Sequence, residues 1–401
     1  MDATSAKVPS PSFSWRFLTR RRLLLFTPIV LLVALAAGAR YRVTQPDYRL
    51  ARGEQAIQDG DWERTESYAG LLEASGHPDH AHLLRGEASR ARRHPDLALA
   101  EFNKVRDAGS LRLRAATLSG LCLIELKNPA ESARVLNYVI GEQPDNVEAH
   151  RGLAAIAYDL GQLGQAVHHL EEVARLDGED ARPHRLIGLI DKDLGRDEQA
   201  VEAYRSALAR KLAPGTREEV RIELAAVLVR LAKFDEALEV LDADSPLKSD
   251  ADATQVVVRA ECLRGLNRNA EAAALLDRAP AAGADVFRVR GQLYLDADAY
   301  PDAIRSLERA VSIAPADDRT HFLLAKAYGG VGRTSDAARA NSRAVELQKD
   351  LERMTKLSNE AMQKPWDAAI RLQLAEVAER LGKPQLAEMW RRAAAACDSK
   401  R

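Results

Sequence analysis

A period of about 34 residues runs through most of this chain, and it limits the possible folds more than any other feature. Val147–Asp180 aligns with the next stretch, Ala181–Pro214, slot for slot. Both carry a small residue at the eighth slot (Ala154, Gly188), Leu-Gly at the fourteenth and fifteenth (Leu160-Gly161, Leu194-Gly195) and Ala at the twentieth (Ala166, Ala200). A large residue, Leu170 or Tyr204, fills the twenty-fourth. The frame fits again over Ala284–Asp317 (Gly291, Tyr300, Ala303, Leu307, Ala310, Pro315) and from Asp318 (Leu324, Ala325, Tyr328, Gly332, Ala337, Ala344). Starts near residues 46, 79, 113, 147, 181, 218, 253, 284, 318 and 368 make about ten units. A repeat of 20–50 residues is a supersecondary unit that cannot bury its apolar face alone and stacks on its neighbours. Aromatics at only 5% suit helical layers of small side chains better than a β-sandwich or barrel.

Each slot has a physical role. Small residues at slots eight and twenty allow the two helices of a unit to approach closely. The large residue at twenty-four is expected to fill space against the neighbouring unit. Glycine near slot fifteen tolerates the positive φ that ends a first helix, and Pro144 and Pro315 stop second helices from continuing. With these residues the chain resembles the tetratricopeptide repeat (TPR) family. The resemblance implies an all-α, TPR-like α-solenoid, a right-handed superhelix of about ten antiparallel helix pairs, here with one N-terminal transmembrane helix. The expected layout has degenerate units over 46–112, a core array over 113–347 and a capping unit and tail over 365–401. Between them lies a sixteen-residue surplus at Gln348–Gln363. Leu347, Leu351, Met354, Leu357 and Ala361 recur there at helical spacing, so 348–364 reads as an extension of the preceding helix.

The N-terminus has a different character. Residues 1–22 form a polar tail whose last three positions are Arg20, Arg21 and Arg22, and Leu23 to Ala39 then run without a charge. A basic flank before an apolar run is the pattern of a signal anchor or a signal peptide. The length of 23–39 favours a retained transmembrane anchor, whereas Ala37-Gly38-Ala39 has the shape of a cleavage site, so both readings stay open. The arginine triplet places the N-terminus in the cytoplasm and the repeats in the periplasm or another extracytoplasmic space.

Charges nearly cancel, 59 acidic against 58 basic, which removes the basic excess expected of a nucleic-acid binder. No phosphate-binding Gly-rich loop, nucleophile elbow, HExxH or paired CxxC occurs, and no cofactor or enzymatic activity is expected. His77, His80 and His82 in HPDHAH lack the i,i+4 spacing of helical metal ligands. His168 and His169 are adjacent and diverge, while His150, His184 and His321 share slot four as packing or rim residues. Cys122 and Cys262 lie four units apart, too far for a disulfide, and read as buried thiols; Cys397 reads as an exposed one in a frayed tail.

The resemblance also implies where a partner binds. In this family the concave face is lined by first-helix side chains at slots two, five, nine, twelve and thirteen. Here these are Glu148, Arg151, Ala155, Tyr158 and Asp159, then Arg182, Arg185, Leu189, Lys192 and Asp193. Later units add Asp285, Arg288, Gln292, Leu295 and Asp296, then Arg319, Phe322 and Lys326. Arginine at slot five (Arg151, Arg185, Arg288) suggests a groove for carboxylate-bearing peptides, with Arg151, Tyr158, Arg182, Arg185, Lys192, Arg288 and Arg319 as contacts. The competing reading is a solvated face neutralised by Asp159 and Asp193. Ala155 and Leu189 stand where the chaperone-binding members carry asparagine, so their carboxylate clamp is not carried over. The leading expectation is a membrane-anchored scaffold in envelope assembly or regulation that binds a protein or peptide partner. The alternatives are an accessory subunit of a membrane-associated enzyme or of a polysaccharide or lipopolysaccharide assembly complex, and a secreted soluble repeat protein after signal cleavage.

Overall fold

A computed structural model describes residues 44–106, 109–242, 253–277, 283–364 and 367–398. The apolar run at 23–39, and with it the expected anchor, lies outside them. Among the described residues no helix is long and apolar enough to cross a membrane.

The described residues form twenty α-helices and no strand, a TPR-like solenoid architecture that divides into two compact units. The first unit holds α1 (Pro46–Gln58), α2 (Trp62–Ala74), α3 (Pro78–Ala91), α4 (Pro95–Phe102) and α5 (Ser110–Glu125). The second begins with α6 (Pro129–Glu142), α7 (Val147–Asp159), α8 (Leu163–Leu176), α9 (Arg182–Asp193) and α10 (Asp197–Leu208). It continues through α11 (Pro214–Arg230), α12 (Phe234–Asp242), α13 (Ala253–Gly265), α14 (Asn269–Asp277) and α15 (Ala284–Asp296). It ends with α16 (Tyr300–Ile313), α17 (Asp318–Gly330), α18 (Thr334–Gln363), α19 (Ala368–Arg380) and α20 (Pro384–Asp398).

Local chemistry sets these boundaries. Proline opens α1, α3, α4, α6, α11 and α20, where its missing N–H would have no intrahelical partner. Asp61, Asn128, Asn146 and Asp367 cap α2, α6, α7 and α19 with their side-chain oxygens. The turn after a first helix places one residue at positive φ. Glycine takes that place at Gly161 and Gly195, but Arg93, Lys127, Ala232, Asn267 and Asp298 take it in other turns. Left-handed backbone is therefore needed at this position, and glycine is not.

The large residue at slot twenty-four clusters with the next unit as expected, Tyr204 with Val220 and Leu224 and Leu307 with Leu324 and Ala327, and it also meets its own unit. A Cβ built on Gly86 would lie 2.4 Å from the Phe102 ring, one on Gly188 2.9 Å from Tyr204, and one on Gly291 2.5 Å from Leu307. The knob thus enters the small slot-eight residue of its own unit, because antiparallel helices of one hairpin bring those slots face to face. The slot-four residues also have a shared task. His150 Nε2 donates to Pro144 O and His321 Nε2 to Pro315 O, both at 3.0 Å, and Arg371 Nη1 donates to Asp367 O at 3.1 Å. They satisfy carbonyls that the preceding turn leaves open.

Buried Leu50, Leu72, Leu83, Leu84 and Phe102 centre the core of the first unit. In the second unit one cluster gathers around Tyr204, Leu224, Leu228 and Leu241. Another gathers Leu347, Leu357 and Ala361 of α18 with Leu374 of α19 and Trp390 of α20. Residues 348–363 are the C-terminal half of the thirty-residue α18, about 45 Å long at 1.5 Å per residue. Cys397 corrects the sequence reading: it is 7% exposed and its thiol donates to Ala393 O, because α20 continues to Asp398.

Candidate functional site

In the second unit a cleft of about 370 Å³ opens between α7 and α9. Helix α7 turns Leu153, Ala154, Ile156 and Ala157 inward and leaves Arg151, Ala155 and Tyr158 on its other side. Pro183, Leu186 and Ile190 of α9 face the same space, floored by Leu170 and Val173 of α8. Tyr158 and Leu186 are each 45% exposed, so the cleft presents an aromatic and an aliphatic side chain to solvent.

The mouth is polar and centres on Asp180. Its carboxylate accepts from Arg151 Nη2 at 2.9 Å, from Arg182 Nε at 2.9 Å and from the Arg182 backbone N–H at 3.0 Å. Burial opposes ionisation of Asp180, but the bonds from Arg182 and Arg151 outweigh it and hold its pKa below the usual carboxylate range. Arg151 also pairs with Asp177 at 2.9 Å and with Glu148. Burial, then the charges of Asp193 and Asp159, push the Tyr158 hydroxyl pKa up. The cleft is an apolar trough with a mouth of matched charges, suited to an apolar side chain on an extended segment.

Of the residues singled out in the sequence, Arg151, Tyr158 and Arg182 meet here. Arg185 is turned away, with Nη2 on Glu223 at 2.7 Å and Nη1 on Glu219 at 2.8 Å, both on α11. Lys192 is half-buried near the end of α9, and Arg319 is exposed on α17. Arg288 is not a surface residue: its side chain is 9% exposed and pairs with Glu261 at 2.8 Å and Asp285 at 2.9 Å. The acids that neutralise Arg151 are Glu148, Asp177 and Asp180, where the sequence reading offered Asp159 and Asp193.

The sequence reading missed two features. Behind Tyr158 lies a second cavity of about 450 Å³. Asp159, Leu163, Ile190 and Asp193 wall it on one side, and Met354, Lys383, Met389, Trp390 and Arg392 on the other. The second is a histidine pair, His150 Nδ1 to His169 Nδ1 at 3.1 Å. Pro144 O can only accept, so His150 carries its proton on Nε2, and His169 Nδ1–H donates to His150 Nδ1. Burial, with His150 and His168 nearby, lowers the His169 pKa to about 4. The frame held the clue: His150 and His169 occupy slots four and twenty-three, as do His82 and Glu101, paired at 2.8 Å in the first unit.

Other titratable clusters are absorbed by the fold. In the first unit Arg114 bridges Glu54 at 2.7 Å and Glu87 at 2.6 Å, and burial pushes the Glu87 carboxyl up to about 7. His80 faces Asp47 at 3.6 Å. Among the described residues no three His, Cys, Asp or Glu side chains are grouped to hold a metal ion. Cys122 and Cys262 are fully buried, and burial lifts their thiol pKa values to about 11 and about 12.

Fold and cleft define an α-helical repeat protein. Three tetratricopeptide repeat family models match residues 83–147, 123–190 and 187–297, and the chain carries tetratricopeptide repeats over that span. No curated protein matches the chain. Among solved structures it is similar to a tetratricopeptide repeat protein from Parabacteroides merdae, 15% identical over 62% of this chain and 98% of that one, with a TM-score of 0.39. It is similar to pilF of Pseudomonas aeruginosa at 17% identity, over 53% of this chain and 97% of that one, with a TM-score of 0.39. MamA of Desulfovibrio magneticus is 17% identical over 51% and 95%, with a TM-score of 0.29.

Proposed function

We propose that this chain is a non-catalytic interaction scaffold, tethered to a membrane by residues 23–39, that binds an extended segment of a protein partner between α7 and α9. The observation that carries the reading is the apolar trough itself: Tyr158 and Leu186 stand half exposed beside it, while its charged mouth is already neutralised. Recognition then rests on apolar side chains entering the trough, with Arg151 and Arg182 orienting the backbone at the mouth. The basic flank and apolar run at the N-terminus support a retained anchor with the repeats on the extracytoplasmic side, a placement suited to envelope assembly or regulation.

The test uses full-length protein in detergent with a photo-crosslinker at position 186. Crosslinked partners are identified by mass, and their affinity is then measured against Leu186→Asp. A tenfold or greater loss with an unchanged helical spectrum supports the cleft, and unchanged affinity refutes it. Protease added to intact spheroplasts should digest the repeats, and full protection would reverse the topology.

A further inference from the structure

The turn that ends α7 differs from its counterparts in one respect. Gly161 has φ 64°, in the left-handed region, but Ala232 at φ 57° shows that an equivalent turn accepts a side chain. At Gly60, Gly76, Gly195 and Gly332, glycines in similar positive-φ turns, an added Cβ would meet nothing within 4 Å. At Gly161 it would lie 2.1, 2.6 and 2.7 Å from Cζ3, Cη2 and Cε3 of Trp390. The missing side chain is a socket, and an indole from the far end of the unit fills it.

Trp390 sits on α20 and is 2% exposed. Its Nε1 is buried without a hydrogen-bond partner, so the contact is made at a polar cost. Beside it lies the 450 Å³ cavity, a gap rather than packed protein. Its walls are complementary: Asp159 and Asp193 belong to α7 and α9, Lys383 and Arg392 to the C-terminal hairpin. Among the described residues none of these four forms an ion pair. The hairpin thus meets α7 through an aromatic plug and, beside it, a cavity whose two walls carry unlike charge.

We propose that the α19–α20 hairpin is an intramolecular latch: Trp390 in the Gly161 socket holds the hairpin against α7 and α9, and withdrawal of the indole releases it. Tyr158 lines both the cavity under the latch and the partner trough. In the closed state the hairpin therefore covers one side of Tyr158, and opening enlarges the trough. The latch stands without the partner-binding reading; only its effect on the trough rests on that reading.

Hydrogen exchange of the full-length chain, followed by mass spectrometry, tests the latch with no partner present. Gly161→Ala blocks the socket, and Gly195→Ala is the control for backbone strain, since its φ of 72° is similar and its surroundings are open. Gly161→Ala should accelerate exchange over residues 384–398 about tenfold or more, at a site remote in sequence from the change, and Gly195→Ala should leave those residues as in the wild type. The two changes remove the same contact, so the double variant Gly161→Ala, Trp390→Leu should exchange over residues 384–398 no faster than Trp390→Leu alone, whereas unrelated folding defects would add. Equal exchange over 384–398 in the two glycine variants, or additive acceleration in the double variant, overturns the latch. A failure of Leu186→Asp to affect partner binding would overturn the trough and leave these exchange results intact.

Discussion

Acidification from pH 7 to 5 should weaken the second unit through His169. Its native pKa is depressed to about 4 by burial, with His150 and His168 adding to the effect, whereas an unfolded histidine titrates near 6.5. The unfolded chain therefore binds a proton that the native pair refuses, so the contribution of this residue is complete above pH 6.5 and is lost as the pH falls toward 4. With 1.36 kcal/mol for each unit of separation, the full loss is at most about 3 kcal/mol, and about 2 kcal/mol is gone by pH 5. The imidazole is partly solvated, so these figures are upper bounds. His169→Asn keeps an N–H that can reach His150 Nδ1 and removes the titration. The wild-type urea midpoint should drop more steeply between pH 7 and 5 than that of the variant. A carbon-13 titration of histidine-labelled protein reads the site directly, with His169 assigned by its disappearance in the variant. A native His169 titrating near 6.5, or parallel losses of stability in the two proteins, would refute the reasoning.

Two further substitutions probe the packing. Arg288→Ala strands the mostly buried Glu261 beside a vacated buried site and should cost about 3–5 kcal/mol, whereas Arg182→Ala, at a side chain 71% exposed, should cost about 0–1 kcal/mol; thermal unfolding of the two variants measures the difference. Gly188→Ala pushes a methyl to 2.9 Å from the Tyr204 ring and should cost about 1–3 kcal/mol by denaturant unfolding, while Tyr204→Phe removes a buried hydroxyl without a partner and should be neutral or stabilising.

The hairpins were legible because a tandem repeat prints each contact many times. Slots eight, fifteen and twenty bear the marks of close approach and helix termination in one unit after another, and the spacing of Leu351, Met354 and Leu357 carries a helix across the surplus. Contacts made once leave no such trace. Nothing in the frame ties Trp390 to Gly161, since among the described residues no other glycine turn receives an indole and glycine there looks like an ordinary helix stop. The slot-five arginines were visible, but their partners were not. Asp177 and Asp180 lie in the turn between units, and Glu219 and Glu223 on the next first helix, so pairing depends on how hairpins stack. At slot twenty-four the packing against the neighbouring unit was legible, but the second contact, into slot eight of the same unit, was not, because period alone does not say how many flanking helices a knob meets.

Those arginines also bear on how such an array can change length. Arg185 is matched to glutamates on the following hairpin and Arg288 to Glu261 on the preceding one, so the two pairings point in opposite directions along the chain. A gene duplication that copied α9 and α10 alone would supply a second arginine with only one set of glutamates to share. A deletion of α13 and α14 would leave Arg288 buried against whatever helix moved in. The seams between these hairpins are therefore not equivalent places to cut and splice. An exchange that moves an arginine together with its acids preserves the fold, and one whose junction falls between them does not.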